Sequence, residues 1–157
     1  MSLDGGRTAV VDEPVRQEGH TAEQPFEGVL SGEVGMIIGD ITQTPIRARG
    51  GAILVPINLT VLGPDGCYAN PSGSICFLDA AVLIGRWRQD CRIRWELSDR
   101  VSNDPRRSSR GCLEPTLAPA PDGRILMILR GSNDAIPDQA GVKWRSISQD
   151  QGRTWSR

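Results

Sequence analysis

Few side chains in this 157-residue chain are of a type that does chemistry, and their spacing narrows the choice at once. The single histidine, His20, stands alone. The four cysteines, Cys67, Cys76, Cys91 and Cys112, form neither a C-x-x-C pair nor a cluster with that histidine. A structural zinc needs four such donors at short spacing, so no metal or other cofactor is expected. Cys67 and Cys76 flank a Pro-, Ser- and Gly-rich loop that a disulfide could close in an oxidising compartment, with reduced, half-buried thiols as the default. The basic residues number 18, all arginine except Lys143, against 19 acids for a net charge of −1. Arg86 to Arg110 holds eight arginines with Trp87 and Trp95 between them, a composition able to hold phosphate and stack bases. Asp90, Glu96, Asp99 and Asp104 lie in the same stretch, however, and alternation along a solvated strand explains the spacing. No nucleic-acid partner is expected.

A second constellation is more regular. Ser148, Asp150, Gly152, Thr154 and Trp155 stand in the form S-x-D-x-G-x-T-W. Ser2, Asp4, Gly6 and Thr8 repeat it near the N-terminus, with Ala9 where the Trp would be, and Asp90 precedes Trp95 by the same five residues as Asp150 precedes Trp155. Each part has a structural use. An Asp accepts backbone N–H groups a few residues on, a Gly takes positive φ, hydroxyls close the remaining polar groups, and a Trp packs at the start of the next strand.

The elements that must carry these turns are short and rich in β-branched residues. Met36 to Ile38, Ile53 to Ile57, Ala81 to Ile84, Ile125 to Leu129 and Val142 to Ile147 read as strands bounded by Gly, Pro, Asn or Asp. No apolar helical period persists for three turns, so the fold is expected to be all-β. No apolar run is long enough to cross a bilayer. The upstream strands repeat as well: Pro45 to Val55 aligns with Pro115 to Met127 across a two-residue gap, each copy being a Pro, a Gly-containing turn and an apolar strand. Lys143 to Trp155 is expected to form a hairpin turning at Ser148 to Gly152, with Gln89 to Arg92 as the matching turn 60 residues earlier.

Together the Asp-box at Ser148 to Trp155 and the preceding Glu114, Asp122-Gly123 turn and apolar strand ending in Arg130 resemble the sialidase superfamily, a group of six-bladed β-propellers. The resemblance implies a partial propeller of two to three four-stranded antiparallel blades, in units of about 1–40, 41–101 and 102–157, with open blade edges through which the chain could self-associate. It further implies a sialidase-like glycoside hydrolase acting on glycans with an acidic terminal sugar, or else a non-catalytic glycan-binding or structural Asp-box propeller. In the family, an acid at the position of Glu114 polarises a tyrosine nucleophile, and an arginine at that of Arg130 belongs to a trio gripping the substrate carboxylate. Planar, bidentate guanidinium chemistry suits that grip, and sialidases are the glycosidases that use tyrosine as nucleophile.

The family's other parts are an early Arg-Ile-Pro arginine, a loop aspartate as general acid, a third arginine and a late tyrosine. Arg47 in Pro45-Ile46-Arg47 is the nearest stand-in for the first, and Asp40 and Asp104 are the loop acids. The only tyrosine, Tyr68, lies at the wrong place in the order. The chain reads as an excerpt of such a propeller, without its nucleophile. Its first residues lack the apolar core of a secretory signal, although the resemblance implies a secreted or periplasmic setting for the full-length protein.

Overall fold

A computed structural model describes Asp4, Arg7, Thr8 and residues 37–39, 43–89 and 93–156. His20, Asp40, Cys91 and the expected turn residues Ser2, Gly6 and Asp90 lie outside the described residues. Among the described residues eight strands follow in order: β1 (Ile37–Ile38), β2 (Ile46–Arg47), β3 (Ile53–Thr60), β4 (Leu78–Trp87), β5 (Ile93–Leu97), β6 (Leu113–Pro119), β7 (Ile125–Arg130) and β8 (Lys143–Ser148). The described residues contain no helix, and none that could cross a membrane. The protein is all-β.

The strands make two antiparallel sheets. The first runs β1-β3-β4-β5, with β2 sharing the β1 edge of β3; the second runs β6-β7-β8. Pro56 explains the divided edge. β2 pairs with Ile53 and Leu54, and β1 pairs with Asn58 and Leu59. Between them Pro56, which has no N–H to donate, lacks a partner on that side.

The two sheets repeat one hairpin. Ile46 faces Leu54 in the first and Ala118 faces Leu126 in the second, a constant offset of 72 residues. The turns agree bond for bond. Ala48 N–H donates to Ala52 C=O at 2.8 Å and Gly51 N–H to Ala48 C=O at 3.1 Å, while Ala120 N–H donates to Arg124 C=O at 2.8 Å and Gly123 N–H to Ala120 C=O at 3.0 Å. Gly51 and Gly123 take φ of 82° and 93°, the left-handed region that a side chain disfavours. The third strands match next: Leu54 faces Ile84 and Leu126 faces Ile147. The chain then returns past β8, where Ser156 N–H donates to Ile147 C=O at 2.9 Å.

Strand periodicity places the core. In β7 alternate residues Ile125, Met127 and Leu129 are buried, and they pack with Leu117 and Cys112 against Leu54, Ala80, Val82 and Ile84 of the first sheet. A second cluster of Ile57, Leu59, Ala81 and Leu83, with Trp95 and Leu97 against it, occupies the other face of the first sheet. Cys112 is 1% exposed. Burial pushes its thiol up to about 12, with the Asp79 charge adding to the effect. Cys67, Cys76 and Cys112 are free thiols.

A polar seam crosses this apolar contact. Asn58, 4% exposed, uses its full hydrogen-bonding capacity. Its Nδ2 donates to Asp79 C=O at 3.0 Å and Cys112 C=O at 2.6 Å, and its Oδ1 accepts from Gln43 Nε2 at 3.1 Å and Glu114 N–H at 3.2 Å. Beside it, Gly111 bridges to Leu78, and Cys112 N–H donates to Leu78 C=O at 2.8 Å.

Candidate functional site

The predicted site residues divide between the two ends of the sheets. At the turn end lies the Asp150 turn. Asp150 Oδ1 accepts from Thr154 N–H at 2.9 Å, Arg153 N–H at 3.1 Å and Ser148 Oγ at 2.8 Å, and Oδ2 accepts from Thr154 Oγ1 at 2.6 Å. Ser148 Oγ in turn accepts Gly152 N–H at 2.8 Å. Burial works against the carboxylate, but the bonds from Thr154, Ser148 and Arg153 prevail and hold its pKa at about 2. Gly152 has φ of 89°, and a Cβ there would stand 3.2 Å from Leu54 Cδ1, so the turn presses directly on the first sheet. Gln151 Nε2 ties it to Gly123 C=O at 3.1 Å. Trp155 packs against the shared core. Both oxygens of the Asp150 carboxylate are committed to the turn.

The N-terminal copy has the same clasp. Thr8 N–H and Oγ1 donate to Asp4 Oδ1 and Oδ2 at 2.9 and 2.8 Å, repeating the Asp150–Thr154 pairing four residues apart. The middle copy differs. The β4–β5 hairpin continues through Arg86 opposite Arg94 and Trp87 opposite Ile93, two rungs beyond Gly85, the counterpart of Ser148. Trp95 stands opposite Gly85, whose Cβ would meet the indole at 2.6 Å. The described part of this hairpin is therefore a longer ribbon than the Asp150 turn, and Asp90 itself lies outside the described residues.

Asp150→Ala is expected to cost on the order of 1–3 kcal/mol of stability, because it strands two backbone donors and two hydroxyls. A urea titration measures this. Since the folded pKa of Asp150 lies below its ordinary 3.8, its contribution is complete above pH about 4 and disappears as pH falls toward about 2. The stability gap between wild type and variant should close across that window.

At the opposite strand end, five residues and roughly 17 Å along β7, stand Glu114 and Arg130. Arg130 Nη1 donates to Glu114 Oε1 at 2.6 Å, and the side chains are 51% and 34% exposed. A bulge aims the acid. Leu113 faces Arg130 and Thr116 faces Ile128, so β6 carries one extra residue at Glu114-Pro115. Glu114 adopts φ of 48°, and its N–H is held by Asn58 Oδ1.

Arg47 does not join them. It sits exposed beside the β2–β3 turn, at the Asp150 end. Tyr68 Oη accepts Phe77 N–H at 2.6 Å in the loop between β3 and β4. Asp104 pairs with Arg106 at 2.8 Å, and the Arg106 side-chain and backbone bonds lower it to about 2. It lines a cleft of about 670 Å³ with Trp144 and Trp155, to which neither Glu114 nor Arg130 contributes.

Several neighbours escaped sequence reasoning. Asp134, in the loop after β7, accepts Ser109 Oγ and, at 2.6 Å, Ser74 Oγ; these hydroxyls lower its pKa. Arg110 directs Nε and Nη2 at Cys76 Sγ, 3.3 and 3.1 Å away. These partners lie 25 to 60 residues apart, and no local pattern links them. Among the described residues no cluster of His, Cys, Asp or Glu could hold a metal ion. In comparisons with known proteins, the chain matches no family model, no curated protein and no solved structure.

Proposed function

We propose that this chain is part of a sialidase-like β-propeller and recognises glycans with an acidic terminal sugar, with Arg130 as the carboxylate-binding group and Glu114 as its partner acid. The observation that carries this reading is the half-exposed Arg130–Glu114 pair set at a strand end by a bulge. One guanidinium nitrogen is already engaged, which orients the planar group and leaves its remaining N–H donors for a ligand carboxylate. Two further features support the propeller. The hairpins recur at the same register in the two sheets, β2-β3-β4 and β6-β7-β8, and the Asp clasp recurs at Asp4 and Asp150.

A glycoside hydrolase of this kind needs a tyrosine facing the acid. The Tyr68 oxygen is occupied by a backbone N–H, an observation that favours glycan binding without turnover by this chain as the second reading. Titration with N-acetylneuraminic acid and with a neutral hexose tests the proposal. Arg130→Lys keeps the charge and loses the fork, so affinity for the acidic sugar should fall by roughly 1–3 kcal/mol with the neutral sugar unaffected. Equal binding of the acid by wild type and variant would remove Arg130 from the site.

A further inference from the structure

The lengthened β4–β5 hairpin places Arg86 directly opposite Arg94. Residues in such a cross-strand pair have Cβ atoms about 5 Å apart, and like charges at that separation are destabilising. Neither side chain has a hydrogen bond or ion pair among the described residues; Glu96, two residues from Arg94, points instead to Arg153 at 4.0 Å. The corresponding turn in the second sheet is closed at Ser148 by its own carboxylate. Here two rungs have been added, and the first of them sets positive charge opposite positive charge. An external anion supplies what the ribbon lacks.

From this we infer that the Arg86–Arg94 ribbon is an anion-binding site, at the opposite end of the sheets from Arg130, that takes a sulfate or carboxylate group carried on an oligosaccharide. The number of groups selects the ligand. Two guanidinium groups on one rung are enough for a single oxyanion, whereas a protein that holds a nucleic-acid backbone can make about 6–10 phosphate contacts, and the chain as a whole has net charge −1. Trp87, the next residue, is 60% exposed on the reverse face. β5 is the edge strand of its sheet, so a flexible linear ligand can pass round that edge and lay one sugar ring against the indole. The inference does not rest on Arg130.

The test titrates the full 157-residue chain with a sulfated disaccharide, a glucuronate-containing disaccharide, the uncharged parent disaccharide and a single-stranded oligonucleotide. Binding of either anionic disaccharide and not of the uncharged one is expected, and comparing the two assigns sulfate or carboxylate. The Arg86→Gln/Arg94→Gln double variant should lose about ten-fold or more in that affinity, while Lys143→Gln, at the other strand end, should bind as wild type does. Because the substitutions remove a repulsion, the double variant's urea midpoint should equal or exceed that of wild type. No binding of either anionic disaccharide, unchanged binding by the double variant, a lowered midpoint, or preference for the oligonucleotide would each overturn the inference.

Discussion

Gly111→Ala should destabilise the protein by about 4 kcal/mol or more, at the extreme of what a single methyl group does. Two penalties combine at this position. Gly111 has φ of 71°, where an added side chain strains the backbone. The new Cβ would also stand 2.2 Å from the carbonyl oxygen of Leu78, a contact that only backbone movement can relieve. That movement would break the bond from Cys112 N–H to the same oxygen and disturb the seam between the sheets. Gly50, whose φ of 80° is similar but whose Cβ would meet nothing within 4 Å, separates the two penalties. Gly50→Ala should cost only about 1 kcal/mol. Similar urea midpoints for the two variants would show that the seam gives way easily and would refute the prediction.

Asn58→Asp should cost roughly 3–5 kcal/mol, although it changes only one atom of the side chain. The carboxylate retains acceptors for Gln43 Nε2 and Glu114 N–H, but it turns an oxygen toward the carbonyls of Asp79 and Cys112, where Nδ2 now donates. Both carbonyls lose their buried donor and face like partial charge. Protonation would restore one donor, so the deficit should shrink in acid, opposite in sense to the general loss of stability expected as Asp150 is protonated. Chemical denaturation at pH 7 and pH 5 measures the recovery, in a range above that in which Asp150 is protonated. A deficit below about 1 kcal/mol at pH 7 would show that the four bonds of Asn58 do not hold the sheets together.

How much of this was legible beforehand depended on distance along the chain. The Gly51 and Gly123 turns, the Ile125 to Arg130 strand and the Asp150 clasp arise from residues within a few positions of one another, and their patterns stand in the sequence. Glu114 and Arg130 at one strand end likewise follow from the hairpin between them, although their direct pairing does not. Asn58 was invisible because it interrupts an apolar run and so suggests a strand end, whereas its partners lie up to 56 residues away. β6 was obscured by Pro115 and Pro119, which read as turn formers; the bulge at Glu114-Pro115 is where a residue without an N–H fits. The extra length of the β4–β5 hairpin was hidden for a simple reason. Sequence spacing does not reveal which rung of a ribbon a residue occupies.

The span of the seam also bears on the order in which the chain assembles. Each hairpin closes a short loop, so the β2–β3 and β6–β7 pairs are inexpensive in chain entropy and suited to form early. Asn58 reaches Cys112 across 54 residues and can engage only once both sheets exist. Disturbing it is therefore expected to act after the rate-limiting step: stopped-flow unfolding of Asn58→Asp should be faster than that of wild type, with the speed of folding almost unchanged. On that expectation the residue that holds the Glu114 N–H would also act as a latch on the time the two sheets stay together.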